Sequence, residues 1–292
     1  MVDTRTDIGA VLISYNPSAE LVANAAALLQ QIPAVTVVDN GSSPASAGVL
    51  AQIEAMPGCS LIRLGSNRGV AAALNIGVDR VLSGGCRFVF TFDQDSSIEP
   101  GFVSAMLRCA QEAPDPAKLG MVAAIVVDRE HKFQLKLPRS RSGELLQAIT
   151  SGTLVPASTF AAIGYFDEEL FIDYVDTEFC LRARHAGLRI VECTSAILHH
   201  SIGSPAPRRF LGMRCYPSNH SPQRRYYIFR NRTFLVMKYS ADLQWVLLQF
   251  HAAAKERLKL IFLEKGRLSK LSAVVRGVGD GLGGRMGKRV EL

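Results

Sequence analysis

Residues 88–97 read F-V-F-T-F-D-Q-D-S-S, an apolar and β-branched run that ends abruptly at Asp93 and Asp95. A run of this kind is a buried strand. In an open α/β sheet the carboxyl ends of the strands are where ligands bind. Two hard oxygen ligands at such an end suit Mg²⁺ or Mn²⁺, ions that keep several waters and bridge to substrate phosphates. An isolated D-x-D is more often a turn with two solvated carboxylates, so its meaning depends on its surroundings.

Three apolar runs precede it, each with polar cargo at its end. Ile8 to Ser14 leads into Tyr15-Asn16-Pro17, Val35 to Val38 into Asp39-Asn40-Gly41-Ser42-Ser43, and Ser60 to Leu64 into Gly65-Ser66-Asn67-Arg68-Gly69. Helical spacing over Ala19 to Gln31, Ala45 to Ala55 and Val70 to Leu82 separates them, and Pro33 stops the first helix. Strands alternating with helices in units of this length predict an α/β fold, Rossmann-like, with a mostly parallel central sheet flanked by helices. In such a sheet the strand ends lie side by side, so their side chains converge with Asp93 and Asp95 on one cleft. The set suits a nucleotide: amides and a carboxylate for the base, an arginine and glycine-flanked backbone for phosphates, a metal for the diphosphate. Neither G-x-G-x-x-G nor G-x-x-x-x-G-K-[ST] follows the first strand, which argues against hydride transfer and the common NTPase class.

Beyond Gly120 the order is less regular. We expect a strand over Met121 to Val127, an exposed basic loop over Lys132 to Arg141, and strand and turn over Leu145 to Val155. A helix through Leu181 to Ala186 follows, then short strands at Ile190–Val191 and Ala196 to Leu198 before His199-His200. Residues 171–182, F-I-D-Y-V-D-T-E-F-C-L-R, carry a second acidic cluster, Asp173, Asp176 and Glu178. At a helix start the dipole favours carboxylates, which is reason enough for them to be there. The functional alternative is a general base that takes the proton from an attacking hydroxyl.

Charge is distributed unevenly. Residues 201–292 hold 18 Lys and Arg against 5 Asp and Glu, whereas residues 1–200 hold 15 against 21. The break near residue 200 is the clearest composition boundary, and a basic half implies an anionic partner such as membrane, nucleic acid or a phosphorylated substrate. From Leu243, apolar residues at 243, 247, 250, 254, 258 and 261 line one helical face, with Lys255, Lys259, Arg267 and Lys270 on the other side. Such a helix either packs on its own domain or lies on an anionic leaflet. No stretch reaches the roughly 20 apolar residues of a membrane span. The opening M-V-D-T-R-T-D lacks the basic and apolar regions of a secretory signal. Six scattered cysteines without a C-x-x-C pair are expected to be buried thiols of a reducing compartment.

Taken in order, Y-N, V-D-N-G-S, N-R-G-V-A-A-A-L-N-I-G, F-D-Q-D-S, S-G-T, V-D-T-E and H-H-S-I-G resemble an inverting glycosyltransferase of family 2 with the GT-A fold. Within that family the chain is similar to bacterial rhamnosyltransferases of cell-surface polysaccharide assembly. The likeness spans about residues 8–240 and the tail piece R-G-V-G-D-G-L-G-G-R-M-G-K. It implies a glycosyltransferase domain over residues 1–240, with a nucleotide-sugar half to 120 and an acceptor half beyond, and a basic helical region over 241–292. It implies that Asp39 reads a pyrimidine base, that Tyr15, Asn16, Asn40, Asn67, Arg68, Asp93 and Gln94 complete the donor pocket, and that Asp93 and Asp95 form the D-x-D. His200, more than His199, completes a shell for Mg²⁺ or Mn²⁺. Asp176 takes the place of the catalytic base, although Val175 stands where an acid often precedes it, which leaves Asp173 as the alternative.

The implied donor is dTDP-L-rhamnose, with a UDP-sugar as the alternative, and the implied acceptor is a saccharide or lipid-linked saccharide. A cytoplasmic site at the inner face of the bacterial plasma membrane, with peripheral contact to anionic lipid, follows from the same likeness and the basic tail. A haloacid dehalogenase-type phosphatase normally carries D-x-D on its first strand, and a sugar nucleotidyltransferase has a glycine-rich basic loop where Ser14-Tyr15-Asn16-Pro17 stands. A non-catalytic basic module would need a nucleic-acid fold or aromatic stacking pattern, and none is legible, so no nucleic-acid partner is expected.

Overall fold

A computed structural model describes residues 7–130, 132–201, 208–210, 213–215 and 217–291. The first six residues of the opening heptapeptide, and Ile202 and Gly203 of the H-H-S-I-G match, lie outside the described residues. The chain divides into two units: Met1–Glu168 with Val175–Ser201, and Glu169–Tyr174 with Ile202–Leu292. The division at residue 201 falls at the charge break read from the sequence.

The first unit begins with β1 (Ile8–Ser14), α1 (Glu20–Leu29), β2 (Val35–Asp39), α2 (Ala47–Glu54), β3 (Cys59–Arg63), α3 (Val70–Ser83) and β4 (Phe88–Asp93). These match the expected alternation to within about two residues at each end. It continues through β5 (Ser96–Ile98), α4 (Phe102–Gln111), β6 (Leu119–Asp128), β7 (Thr153–Pro156), α5 (Ala157–Ile163), α6 (Val175–His185) and β8 (Arg189–His200). One eight-stranded sheet has the order β3-β2-β1-β4-β7-β6-β8-β5. The strands from β3 to β4 pair in parallel, β7 runs antiparallel between β4 and β6, β8 returns parallel to β6, and β5 closes the edge antiparallel to β8.

Packing explains the apolar runs. Strand β2 is buried along its whole length and β1 almost so, as expected of parallel strands covered on both faces. Helix α3 lies directly on them, since a Cβ at Gly77 would overlap the Val11 side chain. On the other side Leu21, Ala25 and Leu28 of α1 join Phe90, Phe92, Phe102 and Met106 in one core cluster.

Several expectations need correction. Helices α4 and α5 were not anticipated, and the two short strands around residues 190 and 198 are one long β8 whose register against β6 shifts after Ala124. Of Leu145 to Val155, only the end from Thr153 is strand. Cys109 on α4 and Cys193 on β8 are not separate thiols: they form a disulfide, their Cα atoms 5.7 Å apart, because α4 packs against β8.

The second unit contains the antiparallel pair β9 (Arg208–Phe210) and β10 (Met213–Cys215), then α7 (Pro222–Lys238), α8 (Leu243–Leu263) and α9 (Arg267–Leu282). Ser221 caps α7 by accepting from the Arg224 amide, with Pro222 at the first helical position, and Asp242 caps α8 by accepting from the Trp245 amide. Gly277 and Gly281 bring α9 against the α7 backbone, where a Cβ would overlap the carbonyl oxygens of Tyr226 and Arg230. Part of the glycine-rich tail is thus a close helix crossing. Next to Arg230 on α7, Asn231 Nδ2 donates to the carbonyls of Leu170, Ile172 and Asp173 at 2.8–2.9 Å. That clamp holds a segment in which Phe171, Asp173 and Tyr174 have positive φ, between 59° and 67°. Among the described residues no helix is long and apolar enough to cross a membrane.

Candidate active site

Parallel pairing puts the site on one line. Ser14 pairs with Asp39 and Ile13 with Asp93, so the carboxyl ends of β2, β1 and β4 stand in adjacent register. The loops leaving them are stitched together by their own polar groups. Asp39, only 4% exposed, accepts from the Ser42 hydroxyl and amide. Ser42 Oγ accepts from the Asn16 amide at 2.8 Å, and Asn16 Oδ1 accepts from Ser43 N at 2.8 Å. Asn40 Nδ2 donates to Asn67 Oδ1 at 3.2 Å, while Asn40 Oδ1 accepts from the Arg68 amide at 2.8 Å. Gly41 needs its left-handed φ of +80° there, and a Cβ would overlap the Ser66 backbone.

The amides of Asn16, Asn40 and Asn67 therefore shape the loops. Tyr15 and Arg68 keep exposed side chains at the ends of these loops. Gln94 bridges the ends of β1 and β4, accepting from Tyr15 N at 2.9 Å and donating to Tyr15 O at 3.2 Å.

Asp93, Asp95 and His200 form the one group among the described residues that could hold a metal ion, with ligand atoms all within 4.8 Å of one another. The edge strand β5 makes this cluster, since Ser96 pairs with His200 and so carries Asp95 to it. His200 Nδ1 lies 3.3 Å from Asp95 Oδ1. Burial works to lower the imidazole pKa, but the hydrogen bond and charge of Asp95, with Asp93 and Asp128, outweigh it and hold the group above its usual 6.5. Two carboxylates and an imidazole are a donor set that Mn²⁺ takes readily and Mg²⁺ tolerates. His199 points to a different partner, its Nε2 lying 2.8 Å from Glu99 Oε1.

Sequence reasoning missed the residues that support this cluster. Ser96 and Ser151 are buried with hydroxyls 2.6 Å apart, Ser96 Oγ is 2.8 Å from His200 Nδ1, and Ser151 Oγ accepts from the Asp93 amide at 3.1 Å. The S-G-T stretch was visible, but its place beside Asp93 depends on β7 running antiparallel to β4, with Gly152 N donating to Thr91 O at 2.8 Å.

The acidic cluster separates into three environments. Glu178 is fully buried and bound twice by Arg182, which also donates to the carbonyls of Ile163 and Tyr165. Asp173 belongs to the second unit, where Arg224 Nη2 reaches its Oδ1 at 3.0 Å. Asp176 sits in the first turn of α6, accepts from Thr177 N at 2.6 Å, and lines a small cavity with Thr91, Thr150, Thr153, Phe166 and Cys180. Helix α6 begins at Val175, six residues earlier than expected.

This chain belongs to glycosyl transferase family 2, whose family model matches residues 10–170. The sheet order and helical layers are those of the GT-A fold, and the chain is a glycosyltransferase. It is 31% identical over 297 residues to the dTDP-rhamnosyl transferase RfbF of Shigella flexneri, an alignment covering 97% of this chain and 98% of that protein. Among solved structures, S. aureus TarS 1–349 in complex with UDP-GlcNAc aligns with a TM-score of 0.66 at 14% identity, covering 94% of this chain and 80% of that one. The mannosyltransferase PcManGT of Pyrobaculum calidifontis, in complex with GDP-Man and Mn²⁺, aligns at 0.61 and 14% identity, covering 95% and 75%. At such identities the structural likeness is one of fold.

Proposed function

We propose that this glycosyltransferase moves L-rhamnose from dTDP-L-rhamnose onto a glycan or lipid-linked glycan in cell-surface polysaccharide assembly, with inversion at the anomeric carbon. The observation that carries the reading is the meeting of Asp93, Asp95 and His200 at the sheet edge that also presents Asp39. The choice of donor rests on the similarity to RfbF along nearly the whole chain. In this reading residues 1–240 are the transferase domain, residues 1–120 serving the donor and 121–240 the acceptor, with 241–292 a basic helical region. The enzyme works at the inner face of the bacterial plasma membrane, in peripheral contact with it.

Asp39 accepts hydrogen bonds from the pyrimidine base, with Tyr15, Asn16 and Asn67 forming the wall around it and Asn40 holding the Arg68 backbone. Arg68 and the glycine-flanked loop face the phosphates, and Gln94 fixes the β4 end against β1. A divalent ion held by Asp93, Asp95 and His200 would neutralise charge on the departing diphosphate when bound. Asp176 takes the proton from the attacking acceptor hydroxyl. Asp176 stands in the first turn of α6 and lines a small cavity with Thr91, Thr150 and Thr153. A single in-line displacement leaves no sugar on the protein, so no glycosyl-enzyme adduct is expected. Thermal shifts with a panel of nucleotide sugars, each with Mg²⁺ or Mn²⁺, test the donor. Preferential stabilisation by dTDP-rhamnose supports the reading, and a clear preference for a UDP-sugar overturns it.

A further inference from the structure

Helix α8 has two apolar faces. Trp245, Gln249, Ala253, Leu260 and Leu263 are buried within the second unit. Leu243, Leu247, Phe250, Ala254, Leu258 and Ile261, at separations of three and four, are all exposed, with Leu243 at 69%, Leu247 at 68% and Phe250 at 63%. At about 100° per residue the centres of the two stripes lie about 140° apart around the helix, so the second points largely away from the first. The stripe seen in the sequence is therefore not the packing face. A contiguous exposed apolar patch of this kind marks an interaction surface.

Charge selects the occupant. The two acids in and directly after α8 are turned inward: Glu256 pairs with Arg232 at 3.0 Å, and Glu264 is buried between Arg225 and Lys270. Lys255, Arg257, Lys265 and Arg267 are exposed. Arg257 stacks on Phe229, its guanidinium carbon 5.6 Å from the ring centroid, so its stem lies along the helix margin. A second copy docking through the same stripe would bring more cations to an interface to which α8 contributes no exposed acid. An anionic bilayer accepts both the apolar side chains and the flanking cations.

We propose that the outward stripe of α8, from Leu243 to Ile261, seats this protein on an anionic lipid surface, the apolar side chains entering the acyl boundary and the flanking lysines and arginines meeting lipid phosphates. This deepens the peripheral-membrane part of the proposed function and rests on that part alone, not on the identity of the donor.

The test is co-flotation of the full chain with phosphatidylcholine vesicles, with and without phosphatidylglycerol. The wild-type protein floats with the phosphatidylglycerol vesicles, and Phe250→Glu with Leu258→Glu abolishes flotation. Lys255→Gln with Lys265→Gln lowers partition onto the anionic vesicles by roughly tenfold and leaves the neutral vesicles unaffected. Because all four positions are exposed, each variant keeps the wild-type thermal shift with dTDP-rhamnose. A wild-type protein that stays at the bottom with anionic vesicles overturns the inference. So does a glutamate variant that floats unchanged, including one that converts a dimer to a monomer in light scattering. A protein that floats but shows no thermal shift with dTDP-rhamnose leaves the lipid surface standing and removes the proposed donor.

Discussion

His200 Nδ1 stands 3.3 Å from Asp95 Oδ1, although Asp95 lies in the turn between β4 and β5 and His200 ends the distant strand β8. The short β5 strand makes the meeting possible, and the buried Ser96 hydroxyl, 2.8 Å from the same nitrogen, sets the angle of the ring. Residues that orient a metal ligand matter nearly as much as the ligand. Ser96→Ala is expected to weaken Mn²⁺ binding by roughly 10–100-fold while the fold is kept. Asp95→Asn should weaken it further. Calorimetric titration of the purified protein measures both, and unchanged Mn²⁺ affinity in both variants removes the metal assignment.

Two glycines of α9 should respond to alanine in opposite directions. At Gly277 a Cβ meets the Tyr226 carbonyl oxygen of α7, whereas at Gly279 it meets nothing within 4 Å. Alanine raises helix propensity at either site by about 1 kcal/mol. Gly279→Ala should therefore stabilise the protein, and Gly277→Ala should destabilise it by roughly 1–3 kcal/mol through overpacking. Urea midpoints compare the two, and a gain at both positions would mean that α7 and α9 do not cross this closely.

The protein should lose stability below neutral pH through His220. Burial first, then the charges of Arg224 and Arg225, push this imidazole from 6.5 down to about 4, against a smaller upward pull from Asp173 and Glu264. The folded state holds it neutral while the unfolded chain takes up a proton near 6.5. Between those values the unfolded state binds more protons, so stability falls as pH drops from about 6.5 to about 4 and this contribution then levels off. Urea midpoints at about pH 7 and about pH 4.5 should show a smaller difference in His220→Gln than in the wild type. An equal difference would mean that the imidazole titrates normally.

The first half of the fold was legible because parallel strands covered on both faces must be apolar throughout and must end in polar loops. Ile8–Ser14, Val35–Asp39 and Phe88–Asp93 all have that form. Less was legible where contacts are distant. Strand β8 is interrupted by Glu192, Thr194 and Ser195, so its apolar ends read as separate strands. Helix α4 carries its signal in Phe102, Val103, Met106 and Ala110, a buried face after Gly101 that the adjacent acidic motif overshadowed. Glu178 and Arg182, four residues apart on α6, could have been recognised as a helical pair; that this pair is buried could not. The outward stripe of α8 was plain in the sequence, but its solvent exposure depends on Trp245 and Gln249 facing the unit's interior.

Asp176 carries the central claim, and Asp176→Asn tests it most directly. Initial rates of sugar transfer and donor binding would be measured on the same preparations, with Asp173→Asn as the comparison. Loss of a general base is expected to cost about 10²–10⁴ in kcat. The account predicts that Asp176→Asn keeps wild-type affinity for the nucleotide sugar and loses transfer to that extent, while Asp173→Asn retains most of it. Transfer by Asp176→Asn at the wild-type rate would contradict it.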